Sequence, residues 1–306
     1  MNSIGFHEGE LRIQRRAGVE HEAARLEGML RPPRLTGGAA AFLAQRDLAV
    51  LTARDRAGRL WTSPLLGAPG FLEGRENALR VHSSPTEGDP LQALPPDQEV
   101  GLLTIDFAIR RRFRVNGTLS RADHHGLLID VEQAFGNCPS YIQQRATRPS
   151  PGAARVEASA GVAPWTGAFT PQQAEVIAGA DTFFLGTTHP ARGVDTSHKG
   201  GFPGFVRTDG PDLWWPDYAG NNMFNSMGNI AVDPTTALLF IDFADGAALH
   251  LSGTAELEWA TPGAPGDDDG TGRRVRFHPE CAGTTRLALT SDRDVTYSPH
   301  NPALHQ

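Results

Sequence analysis

The sequence has few cysteines and no long apolar run. Its 306 residues include only Cys138 and Cys281. Two thiols cannot form a disulfide framework or a four-cysteine zinc site, so a reducing, cytoplasmic location is expected. No stretch approaches the roughly 18 apolar residues of a membrane-spanning helix. Residues 1–16 carry charges without a following apolar run, so a secretory signal is not expected.

Positive charge is also scarce overall. The formal net charge is −7, which argues against a nucleic-acid-binding or anionic-membrane-binding protein, because both need a basic surface. His124-His125 and residues 278–281 lack a second ligand pair at suitable spacing, so no metal site is expected. The 34 glycines and 23 prolines follow no fixed period and predict many turns rather than a collagen-like or disordered chain.

Helix and strand signals alternate along the chain. A helix is expected over residues 9–31, where two prolines end it, and a short one over 37–46. A further helix should begin at Pro171, with Thr170 as its N-cap. Strands bounded by glycine and proline are expected at 48–53, 79–82, 100–107, 113–119 and 182–188.

An internal repeat relates the two halves of the chain. With one constant offset in numbering, Thr62-Ser63 aligns with Thr196-Ser197, and Pro69-Gly70-Phe71 aligns with Pro203-Gly204-Phe205. With an offset two residues larger, Ile105-Asp106-Phe107 aligns with Ile241-Asp242-Phe243. Chance does not explain matches that keep their order over most of the unit, so the chain consists of two copies of one β-rich unit.

Each copy has short strands joined by turns, which favours a small antiparallel barrel because closure removes exposed sheet edges. The expected fold class is therefore mainly β with flanking helices (α+β), with two tandem barrels packed as an intrachain pseudo-dimer. The expected divisions are an N-terminal helical arm at 1–36, a first repeat at 37–146, a linker rich in Pro, Ala, Gly and Ser at 147–169, and a second repeat at 170–306.

The repeats first diverge into site-like residues near position 197. Ser197, His198, Lys199 and Gly200 stand where the first repeat has residues 63–66, a serine, a proline and two leucines. A hydroxyl, an imidazole, an ammonium and a glycine that allows close backbone approach suit a phosphate or another anion. The alternative is a flexible loop with a solvated lysine.

The second divergence supplies amide side chains. Pro216, Asp217, Asn221 and Asn222 flank a glycine just before an expected helix start, whereas the corresponding residues 84–90 are acidic. Side-chain amides in this position can bind a phosphate or the polar edge of a heterocycle. The alternative is an Asx-turn followed by a helix cap.

The third divergence is a row of arginines in the first repeat. Side chains alternate along a strand, so Arg110, Arg112 and Arg114 should share one face and Arg111 should lie on the other. Guanidinium groups suit planar, bidentate recognition of phosphate or carboxylate. The alternative is a solvated arginine edge. The second repeat has no arginine at 246–250.

These three divergences fit one composite site. The second repeat would supply a wall of Ser, His, Lys and Asn, and the first repeat an arginine wall, with one anionic ligand between them. The pseudo-equivalent position would contain Glu87 and Asp89 beside an alanine-rich hairpin and would bind phosphate poorly. We therefore expect one well-formed site per chain.

Short motifs extend over nearly the whole chain. They are Phe6-His7-Glu8-Gly9-Glu10, Gly67-Ala68-Pro69-Gly70-Phe71, Arg114-Val115-Asn116-Gly117, Asn137-Cys138-Pro139 with Tyr141-Ile142-Gln143, Asp195-Thr196-Ser197-His198-Lys199-Gly200-Gly201, Pro216-Asp217, Gly220-Asn221 and Gly228-Asn229. In this combination the sequence resembles the pyridoxamine 5′-phosphate oxidase-like flavoproteins, the FMN-binding split barrels. It resembles most their duplicated bacterial branch of flavin-nucleotide-binding proteins.

The resemblance implies a six-stranded split barrel in each half, with FMN in the cleft between the halves and its phosphate held by basic and hydroxyl groups. Which arginine contacts the phosphate stays open. Together with the repeat comparison, the expected cofactor-binding residues are Ser197, His198, Lys199, Gly200, Pro216, Asp217, Asn221, Asn222, Arg111, Arg112 and Arg114.

Two departures from the family pattern limit the expected chemistry. Ser140 stands where the branch commonly has a basic residue. The C-terminal arginine- and histidine-containing motif of true pyridoxamine phosphate oxidases is not visible, so oxidation of vitamin B6 is not expected.

The implied activity is that of a flavin-dependent oxidoreductase or electron-transfer module. Its partners would be a small-molecule electron donor or acceptor, or a separate reductase. No catalytic residue is assigned; His198 and His189 are candidates for proton transfer. The alternatives are a non-enzymatic flavin-binding or sensing protein, or a barrel that holds F420 or haem instead of FMN. The protein should be a monomeric pseudo-dimer or a homodimer.

Overall fold

Short helices precede the first sheet in the computed structural model, which describes residues 5–30, 34–149, 161–291 and 294–305. They are α1 (Glu8–Ala17), α2 (Glu20–Ala24), a 3₁₀ turn (Glu27–Leu30) and α3 (Gly37–Ala44). The single helix predicted over 9–31 is thus wrong in its continuity. Gly18 ends α1 with a φ of 72°, a left-handed conformation that glycine adopts without a Cβ clash. The two prolines predicted to end that helix lie outside the described residues.

The first sheet has seven antiparallel strands. They are β1 (Leu48–Arg54), β2 (Leu60–Leu66), β3 (Leu72–Arg75), β4 (Ala78–Val81), β5 (Gln98–Asp106), β6 (Arg111–Asp123) and β7 (Gly126–Gly136). Their order across the sheet is β2-β1-β5-β6-β7-β4-β3. The side chains buried on one face of this sheet form a hydrophobic core around Trp61 and Phe71.

Between the sheets the chain forms β8 (Thr147–Pro149), β9 (Gly161–Pro164) and α4 (Pro171–Gly179). The Thr170 hydroxyl accepts from the N–H of Gln173, whose side chain accepts from the N–H of Thr170. This capping box agrees with the predicted start of the helix. The predicted linker, 147–169, therefore contains two short strands, and its middle, 150–160, lies outside the described residues.

The second sheet has the same strand order as the first. Its strands are β10 (Thr182–His189), β11 (Gly193–Gly200), β12 (Arg207–Asp209), β13 (Asp212–Pro216), β14 (Thr235–Ile241), β15 (Ala247–Trp259) and β16 (Arg273–Arg286), with α5 (Asn225–Ile230) between β13 and β14. They run in the order β11-β10-β14-β15-β16-β13-β12. β9 pairs with β16, and β17 (Leu289–Ser291) pairs with β8. The predicted mainly β class with flanking helices is confirmed.

The two sheets pack against each other through positions that the repeat aligns. The Thr196 hydroxyl donates to the Thr52 hydroxyl at 2.7 Å, and the Thr52 and Thr62 hydroxyls are 3.0 Å apart. A Cβ on Gly186, the repeat counterpart of Thr52, would lie 2.4 Å from the Thr52 side chain. This contact therefore needs a glycine. Around it, one core contains the aligned pairs Leu103 and Leu239, Ile105 and Ile241, and Phe107 and Phe243.

No helix among the described residues is long and apolar enough to span a membrane.

Candidate functional site

A cleft opens between the two sheets, where β6 lies against β11. The space not filled by atoms is about 940 Å³ when counted to the open mouth. Both halves of the chain contribute to its walls, so it is a composite site. The lining residues are Leu103, Arg112, Arg114, Asn137, Cys138, Ser140, Tyr141, Ser197, His198, Lys199, Gly200, Phe205, Trp215, Pro216, Asp217, Tyr218, Gly220, Asn221, Asn222, Phe224, Asn225, Ser226 and Met227.

The cleft brings together every predicted cofactor-binding residue except Arg111. The guanidinium of Arg111 lies over the ring of Phe42, with its central carbon 4.7 Å from the ring centroid, and the residue is exposed. Arg112 and Arg114 point to the other face of β6. The inclusion of Arg111 is therefore corrected, because strand alternation turns it away from its neighbours.

Arg110 does not belong to the cationic row either. It lies in the turn before β6 with a φ of 51°, so the alternation of the strand does not extend to it. Its guanidinium donates to the backbone carbonyl of Ile142 at 3.1 Å and to that of Thr296 at 3.0 Å. The predicted row thus supplies two arginines to the cleft instead of three.

Arg112 and His198 join the two halves of the site. Nη1 of Arg112 lies 2.8 Å from Nδ1 of His198 and donates to its backbone carbonyl at 3.2 Å. A guanidinium has no acceptor, so Nδ1 must accept and the imidazole proton must lie on Nε2. Burial, followed by the charges of Arg112, Arg145 and Lys199, lowers the pKa of His198 well below its usual range. His198 is therefore a neutral hydrogen-bond donor rather than a proton-transfer acid.

Arg114 is held by a buried polar network. Its Nη1 lies 2.8 Å from Oδ1 of Asp195, and its Nη2 donates to the Ser197 hydroxyl at 2.5 Å. The Ser197 hydroxyl is also 2.8 Å from that of Ser226 and 3.1 Å from Oδ2 of Asp195. Asp195 thus neutralises Arg114. Arg112 has no carboxylate partner within the described part of the chain.

Lys199 and Asp217 form a second ion pair in the cleft. The Lys199 ammonium lies 3.3 Å from Oδ1 of Asp217, whose Oδ2 accepts from Nε of Arg273 at 3.0 Å. Because Arg273 shares this carboxylate, Lys199 keeps part of its charge uncompensated. Lys199 is also the only lysine of the sequence. Together with Arg112 and Arg114 it makes the cleft locally cationic in an acidic protein, which favours an anionic ligand.

The structure adds lining residues that the repeat comparison missed. Tyr141 donates its hydroxyl proton to the Ala219 carbonyl at 2.6 Å, and its ring centroid lies 5.2 Å from that of Tyr218. This exposed contact connects loops of the two halves at the rim. Tyr141, Asn222 and Phe224 have φ values of 64°, 60° and 58°, and such left-handed backbone concentrates at functional sites. Tyr141 belongs to one of the family-like motifs, which was its only signal in the sequence.

Several buried polar atoms of the cleft residues lack a partner within the described residues. They are Nε of Arg112, Nε of Arg114, Nε2 of His198, Nε1 of Trp215 and Oδ1 of Asn137. Four are donors, and buried donors are rarely left unpaired. A ligand with a phosphate group and a heterocycle that carries acceptors would fit this donor set. The residues present therefore fit a flavin nucleotide.

The pseudo-equivalent position in the other half is filled by a side chain. Ser63 and His250 are the repeat counterparts of Ser197 and Arg114. The Ser63 hydroxyl donates to Oδ1 of Asp89 at 2.6 Å, and Nε2 of His250 lies 4.0 Å from Oδ2 of Asp89. All three side chains are buried. The carboxylate of Asp89 thus fills the pseudo-equivalent position. Glu87, the other acidic residue expected there, is exposed.

His189 lies outside the cleft, in a cluster with His7 and Glu8 whose ligand-type atoms are within 4.8 Å of one another. Nδ1 of each histidine accepts a backbone N–H, from Gly9 at 3.1 Å and from Ala191 at 3.0 Å. The neutral rings therefore carry their protons on Nε2. A metal-bound histidine donates through its second nitrogen, so this hydrogen bonding does not suit a metal ion.

Comparison with known proteins finds a match to a described family within the second half of the chain. Residues 169–264 match the sequence model of pyridoxamine 5′-phosphate oxidase. The predicted resemblance to pyridoxamine 5′-phosphate oxidase-like proteins is therefore confirmed over this region. A search of curated proteins finds no match.

Solved structures include similar chains. One is described as a candidate pyridoxamine 5′-phosphate oxidase of Lactobacillus delbrueckii, with 16% identity, a TM-score of 0.32, and coverage of 38% of this chain and 94% of that one. A protein of Clostridium acetobutylicum related to general stress protein 26 has 16% identity, a TM-score of 0.29 and coverage of 40% and 91%. General stress protein 26 of Bacillus anthracis has 12% identity, a TM-score of 0.29 and coverage of 39% and 95%.

Proposed function

We propose that this chain is an FMN-binding flavoprotein that works as a flavin-dependent oxidoreductase or electron-transfer module. In this proposal the two sheets are tandem split barrels packed as an intrachain pseudo-dimer, with one FMN between them. The observation that carries the proposal is the composite cleft, in which Arg112 and Arg114 of one half meet Ser197, His198 and Lys199 of the other. The family match over residues 169–264 supports it.

The cationic side of the cleft would hold the phosphate. Arg112 offers an Nε without a partner, and Lys199 a partly compensated ammonium. Both can form charge-assisted hydrogen bonds with phosphate oxygens. His198, fixed as an Nε2–H donor, would contribute a neutral hydrogen bond on the same side. Ser197 would act less directly, because its hydroxyl already bonds to Arg114.

The isoalloxazine ring would lie against the amide and aromatic side of the cleft. Asn221 and Asn222 offer both donors and acceptors for the polar edge of a heterocycle. Tyr218 and Phe224 offer partly exposed ring surfaces beside them. When bound, the flavin would supply the acceptance and release of electrons. The chain would bind it, orient it and exclude water from one of its faces.

The partners and divisions of the chain follow from this proposal. A small-molecule donor or acceptor, or a separate reductase, would exchange electrons with the flavin at the open mouth. The predicted arm at 1–36 and the repeats at 37–146 and 170–306 would act as one binding unit. The family match begins at residue 169, so the first half would contribute its wall of the site as a diverged copy.

A visible spectrum and a binding stoichiometry test the proposal. We expect the purified protein, or the protein mixed with FMN and desalted, to show oxidised-flavin bands and one FMN per chain. A Soret band would assign the cleft to haem, and a deazaflavin spectrum would assign it to F420. A colourless protein that ignores added FMN overturns the proposal, and two tightly bound FMN molecules per chain overturn the single composite site. Anaerobic bleaching by NAD(P)H, alone or with a reductase, then separates an enzyme from a carrier.

A further inference from the structure

The N-terminal helix α1 is hydrogen-bonded to the wall segment, residues 221–231, which contains α5 and forms one wall of the cleft. Near the start of this segment, Nε2 of Gln14 donates to the Met223 carbonyl at 3.2 Å. At its other end, the guanidinium of Arg12 donates to the carbonyl of Ala231, the C-cap of α5. The helix thus holds the wall segment on both sides of α5. Nothing in the repeat requires this, because α1 precedes both copies.

Two glycines allow α1 and α5 to touch along their backbones. A Cβ on Gly9 would lie 2.1 Å from the Gly228 carbonyl oxygen, and a Cβ on Gly228 would lie 2.6 Å from the Glu10 nitrogen. No side chain could fit between the two helices at this crossing. Glu10, the residue after Gly9, therefore lies directly against the first turn of α5.

Glu10 determines how the amide of Asn225 is oriented. One carboxylate oxygen of Glu10 accepts from Nδ2 of Asn225, and the other accepts from the His7 backbone N–H at 2.8 Å. The Asn225 carbonyl oxygen must then face the opposite side, where it accepts from Nη1 of Arg114 at 3.2 Å. A carboxylate and a guanidinium on its two sides leave the amide only one favourable orientation.

Asn225 thereby connects the arm to the cationic wall of the cleft. Arg114 and Asn225 both line the cleft, while Glu10 is 3% exposed and does not. If the Asn225 amide flipped, its N–H groups would face a guanidinium that carries only donors, and Arg114 would lose an acceptor. The remaining contacts of Arg114 with Asp195 and Ser197 could then tilt the guanidinium away from its present position.

We propose that α1 is a structural part of the ligand site and that Glu10 is a positioning residue, which holds Arg114 in the cleft wall through the amide of Asn225. The proposal rests on the proposed function for the identity of the ligand. It differs from that function in assigning a binding role to the arm, outside both repeats.

The test compares Glu10→Ala and Glu10→Gln with the parent protein. At about pH 8, above the raised pKa of Glu10, FMN affinity is measured by fluorescence quenching and hydrogen–deuterium exchange of residues 221–231 is measured without ligand. We expect Glu10→Ala to weaken FMN binding about 10-fold, as for the loss of a hydrogen bond to a charged group acting through one intermediary. Exchange in 221–231 should accelerate. Glu10→Gln retains one acceptor oxygen and should stay within about threefold of the parent affinity.

A double-variant cycle separates positioning from general destabilisation. If Glu10 acts through Asn225, Glu10→Ala should have little further effect on FMN affinity in an Asn225→Ala background. Additive losses overturn the proposal, as do parent-like affinity and exchange in Glu10→Ala. Glu22→Ala, which removes an exposed carboxylate from the same arm, is the control and should match the parent. If the parent itself ignores FMN, the proposed function fails, while the exchange measurement still decides whether α1 holds the wall.

Discussion

Arg112 of the first sheet donates a hydrogen bond of 2.8 Å to Nδ1 of His198 in the second. The contact joins the two halves of the chain at the cleft and fixes the tautomer of the imidazole. Because burial and three nearby cations disfavour a second proton, this histidine is a neutral donor. The relationship gives a direct test of the site that needs no ligand.

Replacing Arg112 should change the protonation of His198. In Arg112→Met the donor to Nδ1 and one of the neighbouring charges are lost, so both ring nitrogens become free to exchange tautomers and the pKa should rise. ¹⁵N NMR of the imidazole measures both effects. The parent ring should stay neutral in the Nε2–H form across the neutral pH range. A parent ring that titrates near its ordinary pKa of 6.5 contradicts the neutral state assigned to it, and a ring with its proton on Nδ1 contradicts the assigned tautomer.

Loss of the Arg112 guanidinium should also weaken FMN binding, and the neighbouring Arg111 provides the control. Arg112→Ala should raise the Kd of FMN roughly 10- to 100-fold, as expected for the loss of a charge-assisted hydrogen bond. Arg111→Ala removes the same charge one residue away, from the opposite face of β6, and should change the Kd less than about threefold. Calorimetry or fluorescence quenching measures both. Equal losses of FMN affinity in the two variants would show that net charge, and not the position of Arg112 in the cleft, causes the effect.

Lys199 should discriminate between ligands with and without a phosphate. Lys199→Ala should weaken FMN binding roughly 10-fold or more and leave riboflavin binding within about threefold. Since Lys199 is the only lysine, reductive ¹³C-methylation labels it together with the amino terminus alone. Its NMR signal should shift on addition of FMN. Unchanged affinity for FMN removes Lys199 from the phosphate role.

The crossing of α1 and α5 should not tolerate a methyl group. Gly9→Ala places a Cβ 2.1 Å from the Gly228 carbonyl oxygen, so the helices must separate, and we expect a loss of about 1 to 3 kcal/mol of unfolding free energy. Gly38→Ala in α3 is the control, because a Cβ there meets nothing within 4 Å. It should be neutral or stabilise by about 0.5 to 1 kcal/mol. Urea unfolding measures the difference, and equal stabilities of the two variants would contradict the close crossing.

Two buried groups of the arm should give opposite pH dependences of stability. Burial raises the pKa of Glu10 to about 7 and lowers that of His7 to about 4. Between about pH 4.5 and 7 folded Glu10 keeps a proton that the unfolded chain has lost, so its contribution to stability falls as pH rises. Between about pH 4 and 6.5 folded His7 excludes a proton that the unfolded chain binds, so its contribution rises with pH. In the parent these slopes oppose each other.

Glu10→Gln should leave only the His7 slope. Arg192 and Asp195 also face Glu10, but they are present in both proteins. The stability of the variant relative to the parent should therefore increase from pH 4.5 to 7.5, by about 2 to 3 kcal/mol. Urea titrations at several pH values measure this difference. A difference that does not vary with pH would mean that Glu10 titrates in its ordinary range.

Much of the fold follows from local signals in the sequence. The capping pattern at Thr170 and the punctuation around the strands predict elements that depend on nearby residues only. The aligned motifs agree with two sheets of equal strand order. The helix predicted over 9–31 rests on apolar residues that all follow Gly18, so their spacing could not show that this glycine ends the first helix.

The sequence also indicates many of the residue types that meet in the cleft, because the three segments in which the repeats diverge all contribute to its lining. It could not decide which arginines take part. Arg110 lies in the turn before β6, and Arg111 lies on the face of β6 opposite to Arg112. The residue at which the strand begins determines both placements. Asp89 fills the pseudo-equivalent position in the other half, and Glu10 contacts Asn225, which lines the cleft. These contacts join residues distant in sequence, so only the tertiary packing of sheets and helices decides them.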